Sequence, residues 1–245
     1  MHKTMNKLTW LFDLDNTLHD ASHAIFPAIN RNMNAFIAQV LDQAGAPSDE
    51  AAVNTARIAY WQRYGATLLG MVNHHQVRPE DFLREAHRFD DLAALIRAER
   101  GLRRLLQRLP GRKILLTNAP RRYARDVLQH LGLHRYFAKH VPIEAMRVHG
   151  RLRPKPSKQM LRKLLARERI AARHCVLVED TVSNLKGAKA LGMATAWVTQ
   201  YLAADSNRQA PTDGHATVRF TKRPIYADVK VKSVGQLFRQ LHRLR

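Results

Sequence analysis

Hydrophobic positions along this chain fall into two regimes. Near the start, Trp10-Leu11-Phe12 is a short continuous apolar run that stops at Asp13, and an Asn16-Thr17 turn follows. Apolar runs of this length bounded by turn residues read as buried parallel strands. Between about residues 20 and 100 no such run occurs. Residues 21–44 instead place Ile25, Ile29, Met33, Phe36, Ile37, Val40 and Leu41 at the spacing of an amphipathic helix. Gly45-Ala46-Pro47 ends that helix, and Ser48-Asp49-Glu50 opens a second one with capping residues, running to about Arg63. Tyr64-Gly65 breaks it. A third short helix holds Leu68, Leu69 and Val72, and Pro79-Glu80-Asp81-Phe82 opens a fourth.

From Arg100 the short apolar runs return, now alternating with helices. Residues 101–109 form a short amphipathic helix, and Lys113-Ile114-Leu115-Leu116 is a strand leading to Thr117-Asn118. Ala119-Pro120 opens a helix over 121–131 that ends at Gly132. Tyr136 to Pro142 reads as an irregular connection. Ser157 caps a helix with Met160, Leu161, Leu164 and Leu165 on one face and Lys158, Arg162, Lys163 and Arg167 on the other. Cys175-Val176-Leu177-Val178 is a strand ending in Glu179-Asp180. A helix with Gly187, Ala188 and Ala190 follows, then a strand over 193–198. Residues 202–215 read as a polar loop, 216–218 as an edge strand, and 233–244 as a final helix with Val234, Leu237, Phe238 and Leu241 on one side. The alternation predicts an α/β fold with a parallel sheet. The helical block reads as an insertion: 1–19 and 100–245 form the core, and 20–99 form a cap that covers the site.

Ligands of open α/β sheets bind at the carboxyl ends of the strands, so the residues found there carry the chemistry. Asp13 and Asp15 leave the first strand together, and two carboxylates that close need a positive partner. Mg2+, held by carboxylates and a substrate phosphate, answers that need. Thr117-Asn118 at a strand end before a helix offers a hydroxyl, an amide and backbone N–H groups to an oxyanion, although Asn118 could serve as a simple N-cap. Lys155 stands between Pro154 and Pro156, which predicts a stiff, extended segment holding a cation at a fixed point. Glu179 and Asp180 complete an oxygen-ligand site on the same sheet edge. Each signal is ordinary alone; their joint order is not.

Composition adjusts this picture in two places. The 245 residues hold 41 Lys+Arg against 20 Asp+Glu, a formal net charge of +21. Such an excess speaks to association with anions, either nucleic acid or a steered anionic substrate. No aromatic RNA-binding motif, zinc-finger spacing or separate basic arm is present, so the substrate reading leads. The single cysteine, Cys175, rules out a disulfide framework within the chain and fits a cytoplasmic setting. No signal-peptide pattern or bilayer-length apolar segment is visible. Adjacent His74 and His75 point different ways on a helix and lack further ligands at metal spacing.

Asp-x-Asp, Thr-Asn, Lys and Glu-Asp with Asn184 four residues later, in that order, resemble the haloacid dehalogenase superfamily of hydrolases over nearly the whole chain. The resemblance implies a Rossmann-like parallel sheet with helices on both faces and an all-helical cap inserted after the first strand. It implies that Asp13 attacks phosphorus to form an aspartyl-phosphate, and that Asp15 protonates the leaving alkoxide and then deprotonates water. Thr117 and the backbone N–H groups near Asn118 and Leu14 would bind phosphoryl oxygens, and Lys155 would neutralise charge. Mg2+ would sit on Asp13, the backbone carbonyl of Asp15, Asp180 and, through water, Glu179, with Asn184 orienting the acid pair. Dehalogenases of this scaffold resemble the chain without Asp15, so phosphoester hydrolysis is favoured over carbon–halogen cleavage. Tyr64-Gly65 to His75 and Pro79-Glu80-Asp81-Phe82 look most like the pyrimidine 5'-nucleotidase branch, which implies a nucleoside 5'-monophosphate substrate. A sugar-phosphate phosphatase or phosphomutase is the alternative, and a basic RNA-binding protein a further one. Tyr64, His74, His75 and Arg57 are the cap residues that the sequence offers for base recognition, and oligomeric state is left open.

Overall fold

The computed structural model describes residues 8–202 and 222–244. In chain order the first elements are β1 (Thr9–Phe12), α1 (Ile25–Gln43), α2 (Glu50–Tyr64), α3 (Thr67–His75), α4 (Pro79–Ala86), α5 (Leu92–Leu95) and α6 (Leu102–Arg108). There follow β2 (Arg112–Leu116), α7 (Arg121–His130), β3 (Lys139–Val141), β4 (Arg147–Val148), β5 (Arg151–Leu152) and α8 (Lys158–Glu168). β6 (Cys175–Glu179), α9 (Val182–Lys189), β7 (Ala194–Val198) and β8 (Val229–Val231) complete the core, and a run of 3₁₀ turns closes it at Val234–Arg243.

Six strands form one sheet in the order β3-β2-β1-β6-β7-β8, and every pairing is parallel. The chain steps outward from β1 through β2 to β3, then returns past β1 to β6. β1 is therefore the point where the strand order reverses, and the crevice at its carboxyl end is where such sheets bind ligands. Trp10, Leu11 and Phe12 are fully buried, as expected of a central strand covered on both faces. The Trp10 indole N–H donates to the Pro110 carbonyl at 2.8 Å. Leu11, Ile114 and Leu177 of the three central strands share one core with Met160, Leu161, Leu164 and Leu165 of α8. The registers that align Phe12 with Leu115 and with Val178 put Asp13 level with Leu116 and Glu179. Side chains carried just past these strands thus emerge at one height.

Two strands of the six-stranded sheet escape the pattern of the sequence, as does the short antiparallel pair β4–β5. The stretch read as an irregular connection contains β3, which pairs with β2 through Ile114–Leu116. It is an edge strand with only Val141 buried, so it needs no apolar run. β8 is also an edge strand, alternating buried Val229 and Val231 around exposed Lys230. The edge strand expected at 216–218, and most of the loop expected at 202–215, lie outside the described residues. At the C-terminus the expected amphipathic helix is a 3₁₀ run in which Val234 and Leu237 are buried but Phe238 is exposed, lying under the Arg108 guanidinium at 5.0 Å.

The helices of Ser22–Leu95 form a compact unit of their own. Asp49 caps α2, accepting from the Ala51 and Ala52 N–H groups at 3.0 Å each, and Gly65 ends it in the left-handed region at φ 76°. α2 and α3 approach so closely that a Cβ on Gly70 would stand 2.1 Å from the Tyr60 ring. Phe36 of α1 meets Phe82 of α4 edge-on at 5.5 Å. No helix among the described residues is long and apolar enough to cross a membrane.

Candidate active site

The Asp13 N–H donates to the Val178 carbonyl at 3.0 Å, so the β1–β6 ladder continues to the residue that carries the first carboxylate. Asn16 then turns the chain with φ 56°, a conformation that asparagine tolerates, and its side-chain oxygen accepts from the Ala21 N–H at 3.1 Å. This tight return lets the Thr17 hydroxyl donate to Asp13 Oδ2 at 3.1 Å. Leu14 is fully buried; its side chain belongs to the core, and only its backbone can serve a ligand.

Lys155 is the centre of the charge arrangement. Its Nζ lies 2.6 Å from Asp13 Oδ1 and 2.7 Å from Glu179 Oε2, and all three side chains are at least nine-tenths buried. The expectation of a stiff extended segment here is corrected: Lys155 and Pro156 form a turn. Two contacts pin that turn. Asn118 Nδ2 donates to the Lys155 carbonyl at 3.1 Å, and the Lys155 N–H donates to Asn118 Oδ1 at 2.9 Å. From the other side, α9 comes so near that a Cβ on Gly187 would stand 2.8 Å from the Pro156 carbonyl oxygen. The Asn118 amide is therefore not a helix cap; through Oδ1 and one Nδ2–H it clamps the lysine loop to the end of β2. Thr117 is buried, with its hydroxyl accepting from the Ala119 N–H at 3.0 Å, which leaves its proton to donate.

Asp180 lies beside this pair. The Trp197 indole N–H donates to the Asp180 carbonyl at 2.9 Å and the Thr181 hydroxyl to its Oδ1 at 3.1 Å. The Thr181 N–H donates to Glu179 Oε1 at 3.2 Å. Asn184 is buried in the first turn of α9, its N–H donating to the Thr181 carbonyl at 3.1 Å. Asp13, Glu179 and Asp180 each offer an oxygen within 4.8 Å of the others, and they are the one such acidic or histidine group among the described residues.

The electrostatics of the cluster are strained toward neutrality. Burial, then Glu179, pushes the Asp13 carboxyl up to about 7 against the opposing pull of Lys155. Burial, then Glu179 and Asp13, drives Asp180 well above the usual carboxylate range. Burial alone would lower Lys155, but Asp13 and Glu179 outweigh it and hold the ammonium above its ordinary value. Three buried carboxylates against one lysine leave the site short of positive charge. Hard oxygen donors on three sides fit a cation such as Mg2+.

Asp15 has partners that the sequence did not disclose. Its Oδ1 accepts from the Tyr123 hydroxyl at 2.6 Å and lies 2.9 Å from His19 Nε2. His19 sits four residues after Asp15, a local spacing that could have been noticed. Tyr123 is one of the buried residues of α7, with Ala124, Val127 and Leu128; within the sequence it is only an apolar-face residue. In the helical unit, Tyr64 pairs with His74 and Tyr60 with His75, each hydroxyl 2.6 Å from Nε2. Arg57 is buried, its Nη2 donates to Asn54 Oδ1 at 3.4 Å, and the Thr67 hydroxyl donates to its carbonyl at 3.2 Å.

A family model described as haloacid dehalogenase-like hydrolase matches residues 9–192. A 5'-nucleotidase of Pseudomonas aeruginosa is 28% identical over 195 residues, covering 75% of this chain and 79% of that protein. Among solved structures, the HAD phosphatase of Thermococcus onnurineus aligns over 96% of this chain and 97% of its own, at 17% identity and a TM-score of 0.59. The L-2-haloacid dehalogenase of Xanthobacter autotrophicus aligns over 96% and 98%, at 15% identity and a TM-score of 0.55. Both structural likenesses speak to the fold.

Proposed function

Since the chain belongs to the haloacid dehalogenase-like hydrolases, we propose that it is a phosphomonoesterase working through an aspartyl-phosphate on Asp13. The observation that carries this reading is the buried Asp13 carboxylate beside Lys155, Glu179 and Asp180. In the first step an Asp13 oxygen bonds to phosphorus while the ester P–O bond breaks, and Asp15 gives its proton to the departing alkoxide. In the second, Asp15 takes a proton from water as that water bonds to phosphorus. The P–O bond to Asp13 breaks, inorganic phosphate leaves, and both carboxyl groups return to their starting state. Lys155 offsets the negative charge of Asp13 and of the transferred group, while the Thr117 hydroxyl and the backbone N–H groups near Asn118 and Leu14 orient its oxygens. Asp13, Asp180 and Glu179, with the Asp15 carbonyl, would hold Mg2+, whose charge relieves the repulsion between a phosphate dianion and this carboxylate cluster.

Asp15 favours phosphoesters over carbon–halogen bonds, because an alkoxide needs a proton on leaving. The likeness to a 5'-nucleotidase supports a nucleoside 5'-monophosphate as substrate, and a pyrimidine base is the finer reading. The excess of basic residues supports attraction of such anions, and the single cysteine fits a cytoplasmic enzyme. The test is phosphate release from UMP, CMP, AMP and sugar phosphates, each with Mg2+ and with EDTA. Release from UMP and CMP that EDTA stops is expected. No release from any of them with Mg2+ present would end the reading.

A further inference from the structure

Two donors converge on one oxygen of Asp15. The Tyr123 hydroxyl reaches Oδ1 at 2.6 Å and His19 Nε2 reaches the same atom at 2.9 Å. Tyr123 and His19 are 2% and 0% exposed, whereas the Asp15 side chain keeps 16% of its surface open. His19 Nδ1 is buried with no hydrogen-bond partner among the described residues. A carboxylate oxygen only accepts, so His19 meets Oδ1 as a donor through Nε2–H. Tyr123 arrives from α7, the helix that follows Thr117-Asn118, whereas His19 comes from the turn after Asp15. The grip therefore ties two separate segments of the core to one carboxylate oxygen.

We propose that Tyr123 and His19 are positioning residues for the acid–base step, holding Asp15 through Oδ1 so that its transferable proton rides on Oδ2. With both donors on Oδ1, a proton placed on that atom would displace one of them, and Oδ2 is the oxygen on which the acid form carries its hydrogen. When Asp15 releases that proton to the alkoxide, both donors stay aimed at the new carboxylate and stabilise it in the transition state without rearrangement. The same hold fixes the carboxylate for the second step, when it accepts a proton from water. A simple packing role for Tyr123 would account for its burial, but not for a 2.6 Å bond to a partly open carboxylate. This inference rests on the phosphomonoesterase reading above.

The test is the dependence of kcat/KM on the leaving group. That ratio ends at the first irreversible step, so breakdown of the shared aspartyl-phosphate does not enter it. An alkyl phosphate such as UMP needs a proton on its leaving oxygen; p-nitrophenyl phosphate, whose leaving group is a stable anion, does not. General acid catalysis contributes roughly 100- to 10,000-fold, so loosening the acid in Tyr123→Phe should cost UMP about tenfold or more. The same variant should cost p-nitrophenyl phosphate less than about threefold, because that substrate draws on little of the same contribution. His19→Gln, which keeps an N–H donor near Nε2, should retain more UMP activity than His19→Ala. In the Asp15→Ala background Tyr123→Phe should have no further effect on UMP. Equal losses on both substrates, or an undiminished effect of Tyr123→Phe without Asp15, would overturn the positioning role while leaving the phosphatase intact. A wild-type protein inactive on both phosphates would overturn the function reading and this inference with it. Circular dichroism of each variant separates these outcomes from misfolding, and if Tyr123→Phe does not fold, the His19 pair decides the question alone.

Discussion

Lys155→Met keeps the length of the side chain and removes its charge. In the wild-type protein the ammonium makes contacts of 2.6 and 2.7 Å with Asp13 and Glu179, and all three groups are sealed from solvent. Breaking a buried ion pair by deleting one partner costs about 3–5 kcal/mol, because the charge left behind has nothing to oppose it. Here two carboxylates lose their direct partner and Asp180 loses a nearby cation, which puts the expected loss toward the top of that range. The loss should depend on pH. An acid whose folded pKa lies above its unfolded value binds more protons folded than unfolded, so stability falls as pH rises through that window, by about 1.4 kcal/mol per unit for each group. Asp13 already has such a window, from 3.8 to about 7 in the metal-free protein. Losing Lys155 extends it upward. Urea unfolding followed by circular dichroism in EDTA should show a deficit that is large at pH 8, shrinks toward pH 5 as the carboxyl groups take up protons, and is partly repaired at pH 8 by Mg2+. A deficit under about 1 kcal/mol, or one that does not change with pH, would refute this view of the cluster.

Other outcomes follow from single contacts. Asn118→Ala removes both bonds that clamp the Lys155 loop; stability should fall by about 1–3 kcal/mol, and kcat should fall with it, as measured by unfolding and phosphate release on the same sample. Glu168 joins α8 to β2 and β3 through Arg112, at 2.6 Å, and Lys139. Burial alone would raise its carboxyl, but the hydrogen bonds from Lys139 and Arg112 outweigh it and hold it below 4.5. Its contribution is therefore present above that pH and lost as pH falls through the folded value. Glu168→Gln should accordingly cost about 1–3 kcal/mol at pH 7 and progressively less in acid, read from urea midpoints across pH. Finally, a net charge of +21 should steer nucleotides, so kcat/KM for UMP should drop roughly several-fold between low and moderate salt; a flat profile would deny the charge that role.

The strand-end residues were legible because central parallel strands are apolar on both faces and stop abruptly at polar chemistry: Phe12 to Asp13, Leu116 to Thr117, Val178 to Glu179. Ordered signals of that kind survive the loss of three-dimensional information. The edge strands β3 and β8 did not, because a strand paired on one side needs only one or two buried residues. The shape of the Lys155 loop also escaped, since two flanking prolines suggest extension whereas Asn118 and the Gly187 backbone together impose a turn. Tyr123 was illegible for a different reason. Nothing around it in the sequence sets it apart from Val127 or Leu128; it becomes a partner of Asp15 only because α7 starts at the end of the strand beside β1.

The central claim is a covalent phosphoryl group on Asp13, and trapping it is the most direct measurement. Acid quench of a reaction with UMP and Mg2+, followed by borohydride, converts an acyl phosphate to the alcohol, and peptide mass spectrometry locates the change. The account predicts that the reduced residue is at position 13, that it appears only with substrate, and that Asp13→Asn neither forms it nor turns over. Reduction at another carboxylate, or an Asp13→Asn variant that still releases phosphate at the wild-type rate, would contradict it.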